Sequence, residues 1–321
     1  MAIADDGALE TCDSLYVSPQ SGDVALSCAA RLARERAEGH RVLVVSLFGP
    51  ATDAVEGRAA RALRALGVDE HALLLPHARA RGGEPATGLV RERGPQDDDV
   101  LHRAADALID LAHRSRAREV YVPLAVGGHV DHRLAHEAAR AAFASGNGRN
   151  VFLYEERPEA FVPGAIRVRL GQLGARLPPG AAQAPGRRDL GGFVFRFHVG
   201  PRFRGDLDGR WDRVRASWTA VREWRAGRSW HPLRALGPRL QPVTFATPAR
   251  DLAAVRELEG TWSRPLSALA ARYARGLGDA VHAERYWLLL PPRDADGLET
   301  MGHGADEVRV GPAPPAGAAP A

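Results

Sequence analysis

The chain has 321 residues, 45% hydrophobic and 26% charged, the balance of a globular protein long enough to bury a substantial core. All 43 basic residues are Arg and none is Lys, which excludes a P-loop lysine, a Schiff-base lysine and a lysine general base. The formal charge of +4 is local: residues 201–250 hold eleven Arg against Asp206, Asp208, Asp212 and Glu223, a net of +7, so the remainder sums to −3.

The first 155 residues alternate short β-branched runs with amphipathic stretches, the pattern of βα units on a mainly parallel sheet. Strands are predicted at Ser14–Ser18, Arg41–Phe48, Ala72–Leu75, Glu119–Leu124 and Val151–Glu155. Helices are predicted at Ala25–Glu38, stopped by Gly39, at Arg58–Leu66, stopped by Gly67, at Asp97–Arg114, opened by three acids, and at His132–Phe143. Residues 171–192 are rich in Gly, Pro and Ala and read as a mobile loop. A strand over Phe193–Val199 follows, then helices at Leu207–Arg225, Pro248–Leu258 and Pro265–Arg275 and a strand at Tyr286–Leu290. The expected architecture is therefore α/β: one Rossmann-like domain over residues 1–300 with helices on both faces of a mainly parallel sheet. Its sheet core is 1–155, its C-terminal helical elaboration is 156–300, and 301–321 is a disordered tail.

No apolar run is long enough to span a bilayer, the N-terminus lacks a basic region followed by an apolar one, and the two cysteines, Cys12 and Cys28, have no zinc-site spacing. A reducing cytoplasm is the expected compartment. Four of the six Trp (Trp211, Trp218, Trp224, Trp230) share the basic segment, so a polyanion surface there is one reading. A helix with a Trp face on the core and a solvated Arg face is the simpler one. No recognised nucleic-acid fold accompanies the charge, so nucleic acid ranks last as a partner.

Ligands of an open parallel sheet bind beyond the carboxyl ends of the strands. Two loops there stand out. The first is Ser18-Pro19-Gln20-Ser21-Gly22-Asp23, and the second is Gly127-Gly128-His129-Val130-Asp131-His132. The first lacks a dinucleotide fingerprint. The second places His129, Asp131 and His132 within four residues, enough for a metal ligand, a catalytic imidazole and a carboxylate that orients a ring.

These residues carry a resemblance. The stretch LYVSPQSGDVALSCAARLARERAEGHRVLVVSLF resembles the opening of the PIG-L-like (LmbE-like) zinc-dependent N-deacetylases, whose motif there is PHPDD or PHLDD. VYVPLAVGGHVDHRLAHEAA resembles the second motif of that family nearly residue for residue, FLYEERPEAF its YEDxPYA stretch, and ERYW at Glu284–Trp287 a C-terminal signature. The resemblance implies hydrolysis of the acetamide of N-acetylglucosamine-type sugars by a zinc ion held by two His and one Asp. The zinc lowers the pKa of a bound water, a neighbouring Asp takes its proton, and a second-motif His steadies the oxyanion or protonates the leaving amine.

Carried over by residue, the resemblance implies Asp23 and His132 as zinc ligands and His129 with Asp131 as the catalytic histidine and its partner. Gln20 stands where the first zinc His belongs, and Gly22 where the general-base Asp belongs. The expectation is a protein of this family with a degenerate zinc site, impaired or inactive as an enzyme. It would still bind an N-acetylated sugar or glycan-like molecule through a loop that includes Ser21, Gly22, Gly127 and Gly128. The alternative is an active deacetylase with remodelled ligands, in which Gln20, His129 or His136 completes the metal shell. His136 lies one helical turn beyond His132. His77 is a more distant recruit. An anion held at the helix start after Gly22, and Asp23 serving there merely as a helix cap, are also open.

Overall fold

Seven strands form one sheet in the order β3-β2-β1-β4-β5-β7-β6 in the computed structural model. It describes residues 11–49, 54–82, 93–126, 128–143, 148–161, 165–175, 238–247, 249–259, 264–278 and 282–290. All of these belong to one compact unit that spans Met1–Pro291. β1 (Ser14–Ser18), β2 (Val42–Phe48), β3 (Asp69–Leu75), β4 (Glu119–Pro123) and β5 (Asn150–Tyr154) pair in parallel. β7 (Ala283–Leu290) and β6 (Arg239–Ala246) extend the sheet antiparallel.

The helices are α1 (Ser21–Ser27), α2 (Ala29–Ala37), α3 (Ala54–Ala65), α4 (Pro95–Ser115), α5 (Val130–Phe143), α6 (Ala165–Gln172), α7 (Leu252–Glu259) and α8 (Arg264–Gly278). Alternate residues of a strand point oppositely, and β1 shows the consequence. Leu15 and Val17 join a core cluster with Leu108 of α4, Leu134 of α5, Ile166 of α6 and Tyr273 of α8. Tyr16 joins a second cluster with Val24 of α1, Leu32 of α2, Leu63 of α3 and Val255 of α7. In the second cluster Tyr16 stacks on Tyr121 with ring centroids 4.2 Å apart.

The five parallel strands form where the β-branched runs predict them, within a few residues at each end. The helix predicted over Ala25–Glu38 is instead two helices that break at Cys28, whose φ of −123° and ψ of 21° leave the helical region. The break is stabilised from far along the chain. Glu284 on β7 accepts the Ala30 N–H at 2.7 Å and the Arg31 N–H at 3.0 Å, so a carboxylate caps the orphan donors of α2. Cys28 itself is fully buried in the cluster that contains Leu32. β3 starts three residues earlier than predicted, at Asp69, because an edge strand tolerates the polar run Asp-Glu-His, none of which is buried.

Two elements escape the sequence reading. β6 contains Pro242, tolerated because the strand lies at the sheet edge, and α6 ends inside the stretch predicted to be a loop, reaching Gln172. The rest of that loop from residue 176, the strand at Phe193–Val199, the helix at Leu207–Arg225 with its four Trp, and the tail 301–321 lie outside the described residues. Among the described residues, no helix is long and apolar enough to cross a membrane.

β1 lies between β2 and β4, so the chain leaves β1 toward one neighbour while β4 leads to β5 on the other side. Loops that depart from two such strands diverge and leave a crevice at their carboxyl ends. The loops after β1 and β4 border that crevice.

Candidate active site

The β1–α1 loop supplies Gln20 and Asp23. Gln20 precedes α1 in an extended conformation, φ −136° and ψ 154°, and its backbone N–H donates to Asp23 Oδ2 at 3.0 Å. Asp23 thus folds back on the start of its own helix, a reciprocal cap that needs no distant partner. Ser18 Oγ donates to the Gln20 carbonyl. The carboxylate of Asp23 already sits where an external anion would bind. Gly22 is buried, and a Cβ added to it would meet only Ala59 Cβ at 4.0 Å, so the missing side chain is not dictated by steric exclusion.

The β4–α5 loop presents the other wall. Val130 opens α5, two residues earlier than predicted, which puts Asp131 and His132 in its first turn. Gly128 has φ 75°, a left-handed conformation that glycine adopts without strain, and Gly127 lies outside the described residues. Ala125 also has positive φ, 63°, which is uncommon for a residue with a Cβ. Glu156, just beyond β5, holds that conformation in place: Oε1 accepts the Ala125 N–H at 2.6 Å and Oε2 the Val126 N–H at 3.1 Å.

Glu156 Oε1 also lies 3.3 Å from His132 Nδ1. The opposite nitrogen of the same ring, Nε2, faces Asp23 Oδ2 at 3.5 Å. His132 therefore bridges the two walls between carboxylates. Burial alone would lower its pKa, but Asp23, Glu156 and Glu159 together outweigh that and raise it to about 10, so the ring is an imidazolium at neutral pH. Burial likewise pushes Asp23 upward against the opposing pull of His132 and of the Gln20 N–H. Glu159 is raised to about 7, first by burial, with His132 opposing.

His129 and His132 have ring centroids 5.2 Å apart, and His129 Nδ1 accepts the Asp131 N–H at 3.1 Å. The Asp131 carboxylate is buried in a separate network. Arg81 Nη2 donates to its Oδ1 at 2.6 Å and the Ala78 N–H to its Oδ2 at 3.0 Å, while Arg81 Nε donates to Asp97 Oδ1 at 2.7 Å. Asp97 in turn caps α4 by accepting the Gly94 N–H at 2.8 Å. One guanidinium thereby ties the loop after β3 to the starts of α4 and α5.

His136 is drawn elsewhere. Its Nδ1 lies 2.7 Å from the Pro123 carbonyl, and its ring lines a cavity with Arg133, Arg140 and Arg169. His77 is half-buried in the turn that carries Arg81. Among the described residues, no group of three or more His, Cys, Asp or Glu side chains is placed to hold a metal ion. Two strong donors, Asp23 and His132, converge, and Gln20 adds at most a weak amide, a set that fits a catalytic zinc poorly. The carboxylate on His132 Nδ1 is nonetheless the support that a metal-binding imidazole usually has.

Glu156 and Arg81 are the positions holding this loop that inspection of the sequence does not single out. For Glu156 the signal is the YEER stretch, in which successive acids serve different partners. Glu155 accepts Arg285 Nε at 2.7 Å, Trp287 Nε1 at 2.8 Å and the Tyr273 hydroxyl, whereas Glu156 serves the β4–α5 loop. Arg81 has no comparable signal among 43 arginines.

No family model matches the chain. It is 32% identical over 173 residues to 2'-N-acetylparomamine deacetylase of Streptomyces fradiae, an alignment that covers 48% of this chain and 60% of that enzyme. Among solved structures it is similar to a deacetylase of the teicoplanin biosynthesis pathway, with a TM-score of 0.56 and 18% identity over 88% of this chain and 99% of that one. The zinc-inhibited form of teicoplanin deacetylase is similar with a TM-score of 0.55, 18% identity and the same coverage. The chain thus spans three fifths of the curated relative that it matches and shares the fold of solved deacetylases of the LmbE/PIG-L type.

Proposed function

We infer that this protein is a deacetylase-type sugar binder whose hydrolytic machinery is incomplete: it holds an N-acetylated sugar or glycan-like molecule in the β1/β4 crevice and turns it over weakly or not at all. The observation that carries this reading is the meeting of Asp23 and His132 across the crevice beside Gln20 and Gly22. A ligand set short of one imidazole loses most of its affinity for zinc. Absence of a positioned base separately removes a factor of about 10² to 10⁴ in rate. His132, as an imidazolium, directs its two N–H groups at Asp23 and Glu156 and so holds the two walls of the crevice together, with the His129 ring beside it.

Zinc content of the purified protein, measured together with acetate release from 2'-N-acetylparomamine and from an N-acetylglucosaminide, tests the reading. Substoichiometric zinc and negligible acetate are expected, and stoichiometric zinc with steady turnover overturns it. The double substitution Gln20→His with Gly22→Asp is expected to raise both, because Gly22 has room for a Cβ.

A second reading, an active enzyme with remodelled residues, is favoured by Glu159. This acid stands where the resembled YEDxPYA stretch has Tyr, it is raised to about 7, and its charge interacts with that of His132. A carboxyl near neutrality is suited to accept a proton that Gly22 cannot. Under this reading Glu159→Gln abolishes acetate release at unchanged zinc content. Under the first there is no release to lose.

A further inference from the structure

Between α5 and α6 lies a cavity of about 630 Å³, inside the range of about 300–1,000 Å³ that small-molecule sites occupy. It adjoins the crevice. Its lining takes in Gly128 and Arg133, the residues that bracket the His129–His132 turn, and Gly128 contributes no side chain to the rim. Arg169 reaches the same place from α6. Its Nε donates to the carbonyl of Leu124 at 2.7 Å, just beyond the end of β4 and at the start of the second wall. The charge of Arg169 also interacts with that of Glu156, the carboxylate that faces His132.

The lining offers both kinds of hydrogen-bonding group. The Arg140 side chain has no ion pair or hydrogen bond among the described residues. Gln172 meets only Arg169, whose Nη1 lies 3.5 Å from its Oε1, so the Gln172 amide N–H groups are uncommitted. Glu137 gives Oε2 to Arg93 Nη1 at 2.6 Å and keeps Oε1 as an acceptor. A sugar hydroxyl donates and accepts at once, so a polyhydroxylated ring satisfies this mixed set. An apolar chain would strip water from the same groups and replace none of their hydrogen bonds.

On the reading of the crevice as a sugar site, we propose that this cavity is its second subsite. It takes the neighbouring ring of a ligand whose N-acetylated ring lies between the walls of Asp23 and His132, which makes the ligand a glycoside of at least two rings. Arg140 and Gln172 donate to hydroxyls of that second ring, and Glu137 Oε1 accepts from one.

Calorimetric titration of the full chain with N-acetylglucosamine, N,N'-diacetylchitobiose and 2'-N-acetylparomamine tests the subsite. At least one of the two-ring ligands is expected to bind about tenfold or more tightly than the monosaccharide. The double substitution Arg140→Ala with Gln172→Ala changes two half-buried side chains on helix surfaces. It is expected to remove that advantage and to leave the affinity for N-acetylglucosamine and the melting temperature unchanged. Should the double variant not fold, each single one is expected to remove part of the advantage. Two-ring ligands that bind no more tightly than N-acetylglucosamine, or variants that keep the full advantage or weaken all three ligands alike, overturn the subsite and leave the sugar reading of the crevice standing. Failure of all three ligands to bind overturns that reading as well.

Discussion

The two walls of the crevice are built by opposite strategies. The β1–α1 loop is held mainly by itself: Ser18 reaches Gln20 and Asp23 caps the helix that it begins, with the Phe48 N–H on the Pro19 carbonyl and His132 facing Asp23 as its outside contacts. The β4–α5 loop is held from a distance, by Glu156 at Ala125, Val126 and His132, by Arg81 through Asp131, and by the Pro123 carbonyl on His136. A wall satisfied locally can exchange the side chains at positions 20 and 22 without loss of fold. A wall whose buried carboxylates and ring are held by other elements cannot. Changes at positions 20 and 22 are therefore expected to cost less stability than changes that break the second wall's outside contacts.

Breaking the distant support is expected to have the largest effect. Arg81→Leu strands the Asp97 and Asp131 carboxylates, both nearly inaccessible to solvent, and should cost about 3–5 kcal/mol in urea unfolding. If the loss were under about 1 kcal/mol, the network would not be what holds this wall. Glu156→Gln comes next. A neutral amide cannot accept two backbone N–H groups and the His132 proton together, and a loss of about 1.5–3 kcal/mol is expected, with a fall in the His132 pKa read by NMR.

The bridge between the walls has its own pH signature. His132 binds its proton more tightly folded, at about 10, than unfolded, at 6.5. Its contribution is therefore complete below 6.5 and declines as pH rises toward about 10. Thermal melts across that window should show decreasing stability in the native protein, and a flatter profile in His132→Gln. A flat profile in that window, in the native protein as in the variant, would mean that the ring is neutral in the fold.

The local wall should yield the smallest effects. The cap at Asp23 is worth about 0.5–2 kcal/mol, and Asp23→Ala, which also removes the carboxylate facing His132, should lower the His132 pKa as well, whereas Gln20→Ala should stay within about 0.5 kcal/mol. A large loss from Gln20→Ala would erase the contrast between the walls.

Much of this molecule is legible in its residue order. β-Branched runs separated by amphipathic stretches mark the five parallel strands, and three acids at Asp97–Asp99 mark the start of α4. Both are local signals of burial and of helix electrostatics. Pro242 conceals β6, since a proline speaks against a strand unless its edge position is known. The break at Cys28 is equally hidden, because the carboxylate that caps α2 belongs to Glu284 at the other end of the chain.

At the crevice the division is the same. Residue identity alone determined which chemistry is available: Asp23, His129 and His132 are present, and positions 20 and 22 hold neither an imidazole nor an acid. Only the tertiary structure decided how those groups are held, by setting Glu156 against His132, Arg81 between Asp131 and Asp97, and His136 among arginines rather than beside Asp23. Periodicity reports whether a side chain is buried. Which partner it meets there depends on contacts between distant segments, and those exist only once the sheet has assembled.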